Sequence, residues 1–230
     1  MRFFASLVLA GAMLTLGTSC DGTISVVFAT GPQEFQIDTS ELDLPTAFRD
    51  DDGNIRSVPC GPMGMCPPTE TVTLTCEAGA CDPAPKTVSA PVGGVIDVDE
   101  LLSETREVIA SVDSYTFEEI RYEVPLNTLT FPVNEVEIFW GPEAATAIDP
   151  ELGVRRLGVV PAIGAGETPS GQVQIDAAGA QELSDYLVDR GRRVRFFAQT
   201  VVDLDPGDPF PAGEIRTSVN VTVRAVGSII

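Results

Sequence analysis

Phe117-Glu118-Glu119-Ile120-Arg121-Tyr122-Glu123-Val124 is the stretch that decides the fold class. Ile120, Tyr122 and Val124 alternate with Glu119, Arg121 and Glu123. Only an extended chain, whose side chains point to opposite faces with a period of two, sorts these residues into one apolar and one charged face. The same pattern recurs downstream. Glu135 to Trp140 places Val136, Ile138 and Trp140 on one side. Arg155 to Val160, Gln172 to Ile175, Val194 to Val202 and Glu214 to Ala225 continue it, each bounded by Gly or Pro. In the last of these, Val219, Val221, Val223 and Ala225 share a face. Thr23 to Ala29 and Glu34 to Asp38 read as edge or returning strands of the same structure.

Two segments have helical spacing instead. Asp176 is placed as an N-cap, Ala177 to Arg190 carries Ala180, Leu183 and Leu187 on one face, and Gly191 follows as a stop. Asp99 to Ala110 puts Leu101, Leu102, Thr105, Val108 and Ile109 on one stripe, with acidic residues at its positive end. Many strands, short connections and one or two short helices predict a mainly β protein: an antiparallel β-sandwich of immunoglobulin or fibronectin type. We expect one domain over residues 20–230, with a disulfide-bearing insertion at about 57–85.

Gly158-Val159-Val160-Pro161-Ala162-Ile163, the strand after it, the helix to Arg190 and the final pair of hydrophobic strands are similar to the LEA14 or WHy β-sandwich family. Asn127-Thr128 stands where that family has Asn-Pro. The resemblance covers about the last 110 residues; it implies a sandwich, and a fold by itself assigns no activity.

At the N-terminus, Met1-Arg2 precedes an uncharged run from Phe3 to Gly17, which ends in the small residues Gly17-Thr18-Ser19 before Cys20. The run is too short to span a bilayer and has the layout of a secretory signal peptide, here residues 1–19. Leu16-Gly17-Thr18-Ser19-Cys20 resembles a bacterial lipobox, which implies that Cys20 is diacylated and becomes the mature N-terminus. Gly17 and Ser19 also suit the signal peptidase that releases free proteins. Cysteine arithmetic favours the lipoprotein: five Cys leave one unpaired, and lipidating Cys20 leaves four for two disulfides. Each buried methylene contributes roughly 0.8 kcal/mol, so the acyl chains of a lipoprotein hold it firmly on the membrane. The expected location is the cell envelope, on the outer membrane or its periplasmic face.

Cys60, Cys66, Cys76 and Cys81 lie in a Pro- and Gly-rich stretch that reads as loop around one strand, Thr71 to Thr75. Four cysteines allow three pairings, and the sequence does not choose among them. The spacing is not the Cys-x-x-Cys of a structural zinc site. Cys60, Met63, Met65 and Cys66 also form a set of soft sulfur ligands suited to Cu(I), although an oxidising compartment favours disulfides.

The 230 residues include 14 Lys plus Arg against 34 Asp plus Glu, a net charge of −20, and no His. Such a surface repels phosphate backbones, which excludes nucleic acid as a partner. Without imidazole there is no Ser-His-Asp or Cys-His nucleophile and no HExxH zinc site. Nucleophile elbow, phosphate loop and dinucleotide fingerprint are all missing, so no cofactor is expected. Asp203, Asp205 and Asp208 group three carboxylates on one loop as candidate Ca²⁺ ligands. Asp50-Asp51-Asp52-Gly53-Asn54 looks like a calcium loop but reads better as a hairpin turn at Asp52-Gly53. Glu118, Glu119 and the Asp203 to Asp208 cluster are the carboxylates available for glycoside cleavage. Arg190, Arg192, Arg193 and Arg195 form the basic cluster, suited either to an anionic partner or to the helix end.

With no catalytic constellation, the chain reads as a non-catalytic, membrane-anchored envelope lipoprotein, a binding or structural module whose partners are the membrane, through Cys20, and an envelope protein. A Ca²⁺ or Cu(I) module and a carboxylate-dependent hydrolase are the alternatives. Mass spectrometry of the mature N-terminus is expected to find a diacylated Cys20; an unmodified start, or cleavage elsewhere, rejects the lipoprotein assignment.

Overall fold

In the computed structural model, which describes residues 17–18, 23–39, 42, 44–103, 109–189 and 191–229, the Phe117–Val124 pattern lies inside a strand of 19 residues, β8 (Ile109–Asn127). Its main partner is the 16-residue β14 (Glu214–Ile229), paired antiparallel from Ile215↔Asn127 to Ile229↔Ile109. The first sheet runs in the order β1 (Gly17–Thr18), β2 (Thr23–Ala29), β14, β8 and β11 (Ser170–Gln172), with β3 (Gln33–Asp38) also on β14. The second runs β12 (Gln174–Ile175), β10 (Arg155–Val160), β9 (Val136–Pro142), β13 (Arg193–Val202) and β7 (Lys86–Asp97). Both are antiparallel throughout. Their apolar faces form one buried cluster that includes Phe28, Ile120, Val221 and Val223 from the first sheet and Ile138, Trp140, Phe196 and Ala198 from the second. The described residues thus form a mainly β, antiparallel sandwich with two α-helices.

β8 buries Tyr115 but then Ile120, Tyr122 and Val124, a change from odd to even positions. The register explains it: Val223 faces Phe117 and Thr222 faces Glu119, so Glu118 is an extra residue, a β-bulge that flips the inward set. β2 and β3 lie end to end along β14, separated by Thr30-Gly31-Pro32. The backbone N–H of Thr30 donates to the Val221 carbonyl at 3.0 Å, and its Oγ1 accepts from the Val221 N–H at 3.3 Å, so a side chain bridges the break in the ladder.

The helix after Asp176 is α2 (Ala177–Asp189), capped by Asp176 Oδ1, which accepts from the Gly179 N–H at 2.8 Å. It buries Leu183 and Leu187. Ser184 Oγ accepts from the Tyr115 N–H at 3.1 Å, and Trp140 Nε1 donates to the Gly179 carbonyl at 3.1 Å. These bonds satisfy polar groups inside the apolar layer, where each one left unpaired costs about 1–3 kcal/mol.

Several expectations are corrected. The Asp99–Ala110 helix is only α1 (Val98–Leu101), capped by Asp97, whose Oδ1 accepts from the N–H groups of Asp99 and Glu100. Residues 104–108 lie outside the described set, and Ile109 and Ala110 belong to β8, where pairing with the C-terminal strand overrides the helical stripe. The single strand Gln172–Ile175 is divided between the two sheets. Gly171 pairs with Tyr122 in the first, Gln174 with Val159 in the second, and the buried Val173 makes the crossing. β7 was not anticipated, because Pro91, Gly93 and Gly94 interrupt its pattern. It is an edge strand, where Pro is tolerated, and the Gly pair forms a bulge opposite Arg195–Phe196. The Asp52-Gly53 turn is as expected: Gly53 has φ +86°, and the flanking Arg49 and Ile55 pair antiparallel. Cys20 and most of the leader segment lie outside the described residues; β1 is the described part of that segment, so in a chain cleaved before Cys20 the first sheet starts at β2.

Gly179 packs so closely on β10 that an added Cβ would sit 1.8 Å from the Arg156 carbonyl oxygen. Gly to Ala normally stabilises a helix by up to about 1 kcal/mol. Here Gly179→Ala is expected to destabilise by roughly 2–4 kcal/mol in urea unfolding, because α2 must lift off the sheet.

Candidate functional site

The stretch read as loop around one strand, Thr71 to Thr75, is a third, small sheet in which that strand lies later, at Leu74–Glu77: β4 (Val58–Pro59), β6 (Ala80–Pro83) and β5 (Leu74–Glu77), in that order. β5 and β6 are joined by Ala78-Gly79, both at positive φ (52° and 88°), the two-residue hairpin turn that follows strand twist. The lobe is fastened to the sandwich by the buried Val72 and Cys81 and by Thr71 Oγ1, which donates to the Leu42 carbonyl at 2.6 Å.

Of the three pairings open to the four cysteines, the fold selects Cys60–Cys76 and Cys66–Cys81. Each closes a loop of 15 or 16 residues, for which chain-entropy arguments give about 3 kcal/mol of stabilisation. Both bonds also grip the segment between Cys60 and Cys66. There the Gly61 N–H donates to the Met65 carbonyl at 2.8 Å, and Met63 adopts φ 65°, a left-handed conformation costing roughly 1–2 kcal/mol for a residue with a Cβ. Met63 is 89% exposed and Met65 57%, more than the other large apolar side chains of the described residues. From Ser57 to Pro85 the chain carries Glu70, Glu77 and Asp82 and no basic residue. The lobe therefore displays two thioethers on a stapled turn, in a segment whose charged residues are all acidic. The four Cys sulfurs expected as disulfides are so used, which removes Cys60 and Cys66 from the Cu(I) set while they remain oxidised.

The remaining candidates are dispersed. Among the described residues, the metal-ligating side chains whose ligand atoms cluster within 4.8 Å are Cys60, Cys76 and Cys81. Asp203, Asp205 and Asp208 form no such cluster. Asp203 Oδ2 accepts from Asn134 Nδ2 at 2.9 Å, and the Asp208 carbonyl accepts from the Ile55 N–H at 2.7 Å. Asn54 pairs with Pro209, so the two acidic motifs, far apart in sequence, lie side by side as mutually bonded turns. Glu118 is ion-paired with Arg224, whose Nε lies 2.6 Å from Oε1. Glu119 faces Arg121 at 2.8 Å and also accepts from Gln172. Arg121 holds the Glu119 carboxyl below its usual range, the reverse of what an acid catalyst needs. In the basic cluster Arg192 pairs with Asp99 at 2.6 Å and Arg193 with Asp97 and Glu143, while Arg190 lies outside the described residues. An open concavity of about 640 Å³ lies where the first sheet ends, lined by Asp38, Leu42, Leu44, Thr128, Phe210 and Glu214.

Sequence reading singled out Met63 and Met65 as metal ligands and missed them as a displayed apolar pair. The signal was there in Pro62, Gly61 and Gly64, which deny the methionines a helix or strand in which to be buried.

No protein-family model matches the sequence, and no curated protein does. Among solved structures, the chain is similar to one of Desmodium yellow mottle tymovirus, at 10% identity and TM-score 0.28, over 100% of this chain and 95% of that one. It is also similar to a chain in the cryo-EM structure of mud crab tombus-like virus, at 10% identity and TM-score 0.31, over 99% and 90% respectively. Neither superposition is close enough to bear on function.

Because the folded-state pKa of Glu119 is lowered, its contacts with Arg121 and Gln172 are present above the unfolded-state pKa and are lost as pH falls through the folded-state value. Carboxyl-carbon NMR is expected to give Glu119 a midpoint below that of an ordinary Glu, and Arg121→Ala is expected to move that midpoint up; an unchanged midpoint removes the assigned cause.

Proposed function

We propose that the protein is an exported, lipid-anchored envelope module without catalytic activity, held on the membrane through Cys20, that docks a protein partner on its disulfide lobe. The observation that carries this reading is Met63, almost fully solvent-exposed at a left-handed φ between two stapled cysteines. Exposing a Met side chain forgoes about 1.5–3 kcal/mol of burial. Strained, exposed positions of this kind concentrate at binding elements. The disulfides support export, since they persist in oxidising compartments. Among the described residues no helix is long and apolar enough to cross a membrane; the anchor in this reading is the lipid on Cys20.

The chemistry of the loop describes its partner. Unbranched thioethers adapt to irregular apolar pockets. Glu70, Glu77 and Asp82 in the same segment favour a basic rim on the other side. The fit is a folded protein with an apolar pocket edged by Lys or Arg. Anionic lipid does not offer that combination, because the acidic lobe is repelled from it.

In a retention assay with envelope proteins, the double variant Met63→Ser, Met65→Ser is expected to hold a partner at least about tenfold more weakly than the unaltered chain. Val201→Ser, which removes a different exposed apolar side chain (41%), is expected to change nothing. Equal loss in both variants, or in neither, rejects the methionine turn as the docking element.

A further inference from the structure

The sulfurs of Cys60, Cys76 and Cys81 all lie within 4.8 Å of one another, although they belong to two different disulfides. Cys76 stands directly opposite Cys81 in the β5–β6 hairpin. Directly opposed residues are about 4.5–5.5 Å apart at Cα, a span that a disulfide bridges without moving the backbone. The two bonds also differ in access. Cys60, Cys66 and Cys76 are each half-buried, whereas Cys81 is 0% exposed. Cys60–Cys76 thus offers an outside thiol two reachable sulfurs and Cys66–Cys81 only one, and the sulfur best placed to reach Cys81 is one already inside the lobe.

We propose that the lobe is a thiol–disulfide exchange site, in which attack by an external dithiol on Cys60–Cys76 is relayed to Cys66–Cys81. A thiolate of the dithiol attacks Cys60 Sγ; the Cys60–Cys76 bond breaks and Cys76 leaves as a thiolate. The second thiol of the reductant then displaces Cys60 and closes the reductant's own disulfide, so the dithiol is oxidised and Cys60 and Cys76 are reduced. Next the Cys76 thiolate attacks Cys81 Sγ. The Cys76–Cys81 bond forms, the Cys66–Cys81 bond breaks, and Cys66 leaves as a thiolate and takes a proton from water. This second transfer is redox-neutral. Attack by Cys60, whose sulfur also lies within 4.8 Å of Cys81, releases the same Cys66.

Two features drive the relay. A thiolate held beside a disulfide reacts as though at very high concentration, far above any reductant in solution. Release of Cys66 also frees one end of the turn that keeps Met63 at φ 65°, and so relieves that conformation. In the product relayed through Cys76, Cys60 and Cys66, the two residues that bracket the methionines, are both free; in the product relayed through Cys60, Cys66 alone of the two is released. The exchange thereby switches the docking turn between stapled and open, a consequence that rests on the docking role proposed above; the relay itself does not.

The test uses the full chain with Cys20 capped, either by its lipid or by alkylating the untreated protein. A limiting amount of dithiothreitol is added, free thiols are trapped with an alkylating agent, and the two-thiol species is mapped by peptide mass spectrometry. Most of that species is expected to carry label on Cys66, with Cys81 still bonded to Cys76 or Cys60. Labels on Cys60 and Cys76 with Cys66–Cys81 intact overturn the relay, as do labels on Cys66 and Cys81 together or a direct passage from no label to four. No partner is involved, so this result is independent of the docking reading. Running the retention assay on the mapped species separates the two: lost retention supports the switch, and unchanged retention rejects it while the relay stands.

Discussion

The antiparallel pairing of β8 with β14 is the constraint on which the rest of the molecule hangs. Both strands are long, and their ladder decides which face of every neighbouring strand is buried, because a one-residue slip turns each side chain to the other side. Ile120, Tyr122 and Val124 stay inward only because Glu118 is accommodated as a bulge; without it Phe117 and Ile120 could not both face the core. Along the free edge of β14 run β2 and β3, along that of β8 runs β11, and α2 packs on the inner side of β8 through Ser184 and Tyr115. The second sheet closes the layer with Ile138, Trp140 and Phe196.

Charge is organised differently from the core. Arg121, Arg155, Arg156, Arg192, Arg193, Arg216 and Arg224 all sit in surface ion pairs. Such pairs are each worth about 0–1 kcal/mol, so they contribute little stability. Their larger effect is to occupy the few cations of an acidic chain, leaving its unpaired acidic groups to dominate the surface. The pairing also accounts for the basic cluster near the end of α2, where Asp97, Asp99 and Glu143 take up Arg192 and Arg193.

The candidate site follows a separate logic. Gly61, Pro62 and Gly64 prevent regular structure around Met63, and a segment that cannot be buried by pairing must be held by covalent bonds if it is to keep one shape. The disulfides do that. Their positions could be read in the residues; their pairing could not, since Cys76 and Cys81 become neighbours only through the β5–β6 hairpin, and Cys60 and Cys66 reach them only when β4 joins that sheet.

Period-two alternation and the cap at Asp176 were sufficient to read the strands around Ile120, Ile138 and Val221 and the helix containing Leu183, because those signals are local and each agrees with its burial. Tertiary contact decided the rest. Ile109 and Ala110 carry a helical stripe yet become strand, since the C-terminal β14 offers them a ladder. Val173 lies in what looks like one strand yet marks the crossing between two sheets, because Gly158 lets the Gln174 backbone approach to where a Cβ would lie 2.6 Å from its carbonyl oxygen. Three sulfurs, one on β5, one on β6 and one just past the end of β4, meet in one place for the same reason: proximity between residues apart in sequence is created by packing, and no local pattern encodes it.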